Sequence, residues 1–380
     1  MAMDMRTMQK LDEKVSLLGF GGMRFPLNEN GGIDEKAAEA MLDYAYSNGV
    51  NYFDTAYPYH SGKSEPFMGR ILKKYPREKI RIATKLPCWE VKKPEDVERL
   101  FNEQLAHLQT DYVDFYLMHA LEKNRWHDML KLGVVESLEK LQREGKIRHL
   151  GFSFHDEYDV FEEIITYRKW DFCQIQLNYM DADQQAGLRG HDLAMKLGVP
   201  LVIMEPIKGG SLTLLPEESV SALLSIDSDA SQAKWALRWV ASLSNVYTIL
   251  SGMSTLDQVK ENVKICSDLV PLSEEELTAV DATRRFLEAR IHNNCTGCRY
   301  CMPCPQGVDI PKNFFLWNEY GKYANRGSAA WHWQNEISAA EKPDHCIECG
   351  LCETKCPQHI SIRENLRQAK MDMDATIENN

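Results

Sequence analysis

Between about Val15 and Cys266, short runs rich in β-branched and aromatic residues alternate with amphipathic segments of helical period, and the alternation repeats eight times. Few folds accept that rhythm. A helix between two strands returns the chain across the sheet, so the strands pair in parallel, and eight such units in about 250 residues match an α/β protein of the closed (β/α)8 TIM barrel type. The candidate strands are Val15–Gly21, Asn51–Ala56, Ile80–Leu86, Val113–Ala120, Ile147–His155, Phe172–Tyr179, Leu201–Pro206 and Val246–Met253. Between them, Val97, Leu100, Phe101, Leu105 and Leu108 recur at helical spacing after Pro94, and Val134, Leu138 and Leu141 do so before Gly145, which can end a helix in the left-handed conformation. An open, doubly wound sheet is the alternative. Against it, no Gly-x-Gly-x-x-Gly turn follows the first strand; Gly19-Phe20-Gly21-Gly22 leads instead into Met23-Arg24-Phe25-Pro26.

A chain of 380 residues with 44% hydrophobic content can form one large domain and a small one. The expected division is a barrel over residues 1–270, a connecting helix over 271–290 that opens at Ser273 and Glu274, a cysteine-bearing domain over 291–370 and a frayed polar tail over 371–380. The longest apolar runs, Val113–Met118 and Pro200–Met204, have strand length and not the length of a membrane span. Residues 1–10 do not resemble a signal peptide. These features point to a soluble, cytoplasmic protein with no membrane partner. The net charge of −12 argues against nucleic acid, whose phosphates are held by an excess of lysine and arginine.

Eight of the eleven cysteines form two runs, Cys295, Cys298, Cys301, Cys304-Pro305 and Cys346, Cys349, Cys352, Cys356-Pro357. A [4Fe-4S] cube needs one soft thiolate at each iron, and two-residue gaps let three successive cysteines wrap three corners. Zinc fits less well, since it takes its four ligands from two separated pairs. A disulfide framework fits least. Cys88, Cys173 and Cys266 stand alone and are expected as small buried hydrophobes. The two runs resemble those of two-cluster bacterial ferredoxins, in which the last cysteine of each run ligates the other cluster. That resemblance implies a small α-helical ferredoxin-like domain with Cys295, Cys298, Cys301 and Cys356 on one cluster and Cys346, Cys349, Cys352 and Cys304 on the other, although the first run is one residue shorter before its last cysteine. The aromatic residues between the runs, including Phe314, Phe315, Trp317, Trp331 and Trp333, are expected to pack around the clusters.

Barrel chemistry sits at the C-terminal ends of the strands, and unusual polar residues fall there. Asp54 ends the second candidate strand, Lys85 the third, His119 the fourth and Ser153 and His155 the fifth, with Gln174, Gln176 and Asn178 along the sixth and Tyr59 on a loop. Any one of these could be structural, but charged and amide groups at successive apolar strand ends are costly unless paired or used. The segments Asn51-Tyr52-Phe53-Asp54-Thr55-Ala56 with Tyr59, Ala83-Thr84-Lys85, Asp114-Phe115-Tyr116-Leu117-Met118-His119 and Gly145–Ser153 resemble the ordered signatures of the aldo/keto reductase family, in the branch that carries a ferredoxin-type domain. The resemblance implies carbonyl reduction by a tetrad of Asp54, Tyr59, Lys85 and His119. Hydride addition to a carbonyl builds charge on oxygen, which a tyrosine beside an ammonium can meet with a proton.

The same resemblance places a nicotinamide cofactor against Gly21, Ser153, Gln174, Met204, Gly252, Gln258, Glu261 and Asn262. Phe154 replaces the asparagine expected beside Ser153, Met204 replaces a stacking aromatic ring, and Gly252 and Gln258 replace the basic grip on a 2′-phosphate. NAD(H), NADP(H) and a flavin in the same groove stay open, with Lys208 and Lys264 as candidate substitutes for the missing cations. Three readings follow. The clusters relay electrons between the barrel and an external ferredoxin- or flavodoxin-like carrier, or they brace a nicotinamide-linked carbonyl reductase, or the barrel serves an electron-transfer subunit by binding. The expected substrate is a small carbonyl compound or alcohol. The loops that shape its pocket, around Pro26–Gly32, Trp89, Leu121–Trp126 and Lys208–Asp229, show aromatic and mixed polar walls with no decisive charge.

Overall fold

A computed structural model describes residues 2–378 and divides the chain into two compact units, Met1–Gly209 with Ala233–Ser273, and Gly210–Gln232 with Glu274–Asn380. The chain opens with a hairpin of β1 (Met5–Met8) and β2 (Glu13–Ser16), paired antiparallel from Met5 opposite Ser16 to Met8 opposite Glu13. Eight parallel strands then close the barrel: β3 (Leu18–Gly21), β4 (Tyr52–Asp54), β5 (Arg81–Leu86), β6 (Val113–Leu121), β7 (Ile147–Phe154), β8 (Phe172–Gln176), β9 (Leu201–Met204) and β10 (Val246–Ser251), with β10 returning to β3.

The first strand differs from expectation. Val15–Gly21 is not continuous; it is cut at Leu17 into a hairpin arm and a barrel strand. The cause is a clasp of side chains, in which Ser16 Oγ donates to Leu18 O at 2.7 Å, Asn51 Oδ1 accepts from Ser16 N–H at 2.7 Å and Asn51 N–H donates to Ser16 Oγ at 3.0 Å. The hairpin places Met8 and Val15 in one apolar cluster with the interior residues Tyr52, Phe115, Leu117, Phe172 and Val202. A second, larger cluster lies between the strands and their helices. One close approach depends on glycine: a Cβ at Gly69 would lie 2.3 Å from His107 O, so only glycine lets the helix Ser64–Leu72 settle against Glu95–Leu108.

In the second unit the helices Ile310–Tyr323, Arg326–Asn335 and Ile362–Glu378 enclose Phe314, Trp317, Trp333, Leu366 and Met373. Residues 371–378 are therefore not frayed, as the polar composition suggests. Met373 is fully buried, because Trp317 Nε1 donates to Asp372 at 2.8 Å and Trp333 Nε1 to Asp374 at 2.9 Å, which tie this helix down; the last two residues lie outside those described. The connecting helix is present as Glu274–Glu288. It belongs with the second unit, as does Gly210–Gln232, which was expected in the barrel; the turn Glu217–Val220 and the helix Ser221–Ile226 pack on Glu274–Glu288. Phe315 and Trp331 are exposed, unlike Phe314, Trp317 and Trp333. Among the described residues no helix is long and apolar enough to cross a membrane.

Candidate functional site

Asp54 is the last residue of β4, in register with Ala83 of β5, and Lys85 follows two residues along β5. This register sets an ammonium beside a carboxylate inside the barrel mouth. Lys85 Nζ donates to Asp54 Oδ1 at 2.7 Å, to Oδ2 at 2.8 Å and to Thr55 O at 2.8 Å. The Lys85 side chain is fully buried, so removing either partner would strand a charge. A network behind β5 holds it: Glu65 Oε1 accepts from Thr84 Oγ1 and from Gln104 Nε2, both at 2.6 Å, and Gln104 also donates to Lys85 O at 3.0 Å.

Above this pair, the Tyr59 ring centroid lies 5.1 Å from Lys85 Nζ, and the His119 ring, on β6, meets Tyr59 edge-on at 6.1 Å. Burial opposes the charge on Lys85, but Asp54 and Tyr59 hold its pKa above the ordinary lysine value. Burial also raises Asp54, against the pull of Lys85. For Tyr59, burial raises the pKa and Lys85 lowers it; burial wins, since Asp54 offsets the ammonium. The phenol thus keeps its proton. Burial, then Lys85, His155 and Arg125, lower His119 well below 6.5, so this imidazole is neutral, and its buried Nδ1 has no partner.

On the cofactor side, Gly21 at the end of β3 lies so close to β10 that a Cβ would stand 3.2 Å from Ser251 O. Ser153 Oγ, on β7, accepts from Ala120 N–H at 2.7 Å. Gln174, on β8, donates through Nε2 to Met204 Sδ at 3.3 Å, while its buried Oε1 has no partner. Such an orphaned acceptor fits an incoming amide N–H. Other sequence candidates are already engaged: Gln258 Oε1 accepts from Ser254 N–H at 2.8 Å, and Asn262 Nδ2 donates to Ser251 Oγ at 3.0 Å. Glu261 and Lys264 are exposed. Lys208 does not stand in for a phosphate grip, since its ammonium bonds both oxygens of Asp181 at 2.8 and 3.0 Å. Asn178 lies beyond the end of β8 and braces Asp181 instead of lining the strand.

Two cations escaped the sequence reading. Arg24 overlies Gly252, where a Cβ would meet its Cγ at 2.7 Å, and its carbonyl accepts from Ser254 Oγ at 2.8 Å. Arg125 approaches the His119 side of the mouth. Neither carries a local signal: Arg24, after β3, reaches Gly252 after β10, and Arg125 turns back from the helix Lys123–Lys131 toward Ala120.

The cysteines sort into two cavities. One is lined by Cys295, Cys298, Cys301 and Cys356 with Ile310 and Phe314. The other is lined by Cys304, Cys346, Cys349 and Cys352, and by Cys301 as well. Four thiols line the first cavity and five the second, Cys301 being shared, enough soft donors at each for a [4Fe-4S] cube. Both loops use left-handed residues at matching positions, Gly297 (φ 68°) and Arg299 (φ 61°) in the first, Glu348 (φ 56°) and Gly350 (φ 75°) in the second.

A parallel eight-stranded barrel whose strand ends assemble a buried lysine–aspartate pair, a tyrosine and a neutral histidine defines an oxidoreductase scaffold of one class. The chain belongs to the aldo/keto reductase family, whose model matches residues 17–285, and it carries a 4Fe-4S dicluster domain over 294–361. Among its relatives, L-galactose dehydrogenase of Arabidopsis thaliana is 29% identical over 73% of this chain and 93% of its own length. The NADH-specific methylglyoxal reductase of Escherichia coli is 26% identical over 68% and 91%. An aldo-keto reductase of Bacillus halodurans in its holo form matches with a TM-score of 0.63 and 28% identity, over 74% of this chain and 96% of that one.

Proposed function

We propose that the barrel reduces the carbonyl of a small molecule, or runs the reverse oxidation, with a nicotinamide cofactor, and that two [4Fe-4S] clusters relay electrons to or from an external carrier. The observation that carries the first part is the contact chain Asp54–Lys85–Tyr59–His119. When bound, a reduced nicotinamide supplies a hydride. Tyr59 donates the proton to the developing oxyanion, Lys85 stabilises the phenolate left behind, Asp54 holds Lys85, and His119 orients the carbonyl. The free Oε1 of Gln174 supports a carboxamide at this place, and Arg24 supplies a cation for a phosphate-bearing cofactor beside Gly252.

The reduction should be level from about pH 7 to pH 9 and fall as Tyr59 loses its proton above the ordinary tyrosine range. A kcat/KM profile that already falls with an inflection well below the ordinary histidine value would instead give the proton to His119.

For the clusters we assign Cys295, Cys298, Cys301 and Cys356 to one and Cys304, Cys346, Cys349 and Cys352 to the other, in keeping with the cavity linings. Cys304→Ala should lower the iron content of anaerobically prepared protein from about eight to about four per chain. Retention of eight would mean that Cys304 is not a ligand.

The relay is supported by exposure of Cys298 and Cys349, flanked by exposed Tyr300, Ile347 and Leu351, which leaves cluster edges open to a ferredoxin- or flavodoxin-like protein. A hydride carries two electrons and a cluster passes one, so the relay needs a converter such as a flavin. Anaerobic mixing of the holoprotein with NADH or NADPH tests it: bleaching of the cluster absorbance supports the relay, and carbonyl turnover without bleaching assigns the clusters to bracing.

A further inference from the structure

Near the tetrad lies a second cation that it does not use. Arg125 lies in the first turn of the helix Lys123–Lys131, where its backbone N–H is capped by Glu122 Oε1 at 2.7 Å. Its side chain turns back, and Nη1 donates to the carbonyl of Ala120, the residue after His119. That anchor is held in turn, since Ala120 N–H donates to Ser153 Oγ at 2.7 Å. The guanidinium carbon lies 5.8 Å from the Trp89 ring centroid, Trp89 lies 5.1 Å from the His119 ring, and His119 lies 6.1 Å from Tyr59. Contacts therefore run unbroken from the guanidinium to the phenol.

Arg125 is the cation at this mouth left for an incoming anion. Among the described residues Arg125 is in no ion pair. The ammonium of Lys85 is matched by Asp54. His119 and His155 are held neutral, chiefly by burial, with Arg125 contributing to both. Glu205, exposed after β9, is the nearby carboxylate that acts on Tyr59 and His155. A partly buried guanidinium with N–H donors to spare recognises a carboxylate through two parallel hydrogen bonds.

We propose that the substrate is a short oxo acid, whose carboxylate is held by Arg125 beside Trp89 while its carbonyl oxygen meets Tyr59 and His119. The inference rests on the carbonyl-reduction reading of the same site. In the step, the carbonyl π bond breaks, a C–H bond forms with hydride from the reduced nicotinamide, which is oxidised, and an O–H bond forms with the proton of Tyr59. The carboxylate is unchanged and gives orientation only.

The test uses the holoenzyme with glyoxylate, pyruvate and 4-oxobutanoate, each beside its methyl ester. The preferred acid should exceed its ester in kcat/KM by roughly tenfold or more, the size of a charge-assisted hydrogen-bonded pair. Arg125→Gln should collapse that ratio mainly through KM, and Arg125→Lys should restore part of it. An ester reduced as well as its acid, or Arg125→Gln lowering both alike, overturns the proposal. Titration calorimetry with butanoate, which cannot be reduced, separates this site from the reaction. Binding that weakens about tenfold in Arg125→Gln, without turnover of any carbonyl, would keep the anion site and sink carbonyl reduction. Carbonyl turnover with no Arg125-dependent butanoate binding would do the opposite.

Discussion

Replacing Tyr59 with Phe is expected to lower carbonyl turnover by about 10²- to 10⁴-fold, the usual contribution of a positioned general acid. The ring and its contacts with Lys85 and His119 remain, so only the ionisable hydroxyl is lost. KM should change little, because the proton is needed in the transition state and not in the bound ground state. Steady-state kinetics beside an unfolding curve will show whether the loss is chemical. Turnover within a few-fold of the parent would remove Tyr59 from its role.

Lys85→Met is expected to damage both activity and stability. It leaves Asp54 buried with no cation, a change that typically costs about 3–5 kcal/mol. It also deprives the Tyr59 anion of its counter-charge. Asp54→Leu added to Lys85→Met should recover most of the stability, since an apolar pair can replace a buried ion pair at little cost. Activity should not return. Denaturant midpoints and turnover of the single and double variants separate the two effects. The parent pair has a pH signature as well. The folded pKa of Lys85 is raised, so its contribution is complete below the unfolded value near 10.5 and is lost only as pH rises through the folded one. In the acid range Asp54 contributes as well: burial raises its folded pKa, so taking up its proton favours the folded state, and that contribution is lost as pH rises through the folded value.

Much of the fold was legible because strand and helix periodicity is a local property. Each of the eight barrel strands lies within or close to its expected run, and Asp54, Lys85 and His119 were recognisable as polar groups at apolar strand ends, whereas Tyr59, on a loop, was picked out by the family resemblance. The break at Leu17 was not legible, since it depends on Ser16 meeting Asn51, 35 residues away. The order of the C-terminal helix was hidden for the same reason. Its polar sequence looks loose until Trp317 and Trp333, 55 and 41 residues upstream, take hydrogen bonds to Asp372 and Asp374. Lys208 was a candidate for a phosphate only while Asp181 was out of view.

The amino-acid sequence by itself determined the eight-unit barrel, the polar residues at its strand ends and the two four-cysteine runs. All of these follow from spacing along the chain: a period, a strand end, or a two-residue gap that suits an iron–sulfur cube. Only the tertiary structure decided which thiols share a cavity, that Asp54 blunts the pull of Lys85 on Tyr59, and that Arg24 and Arg125 reach the groove. These are matters of distance and burial between side chains from different strands, and neither quantity is written in any one segment of the chain.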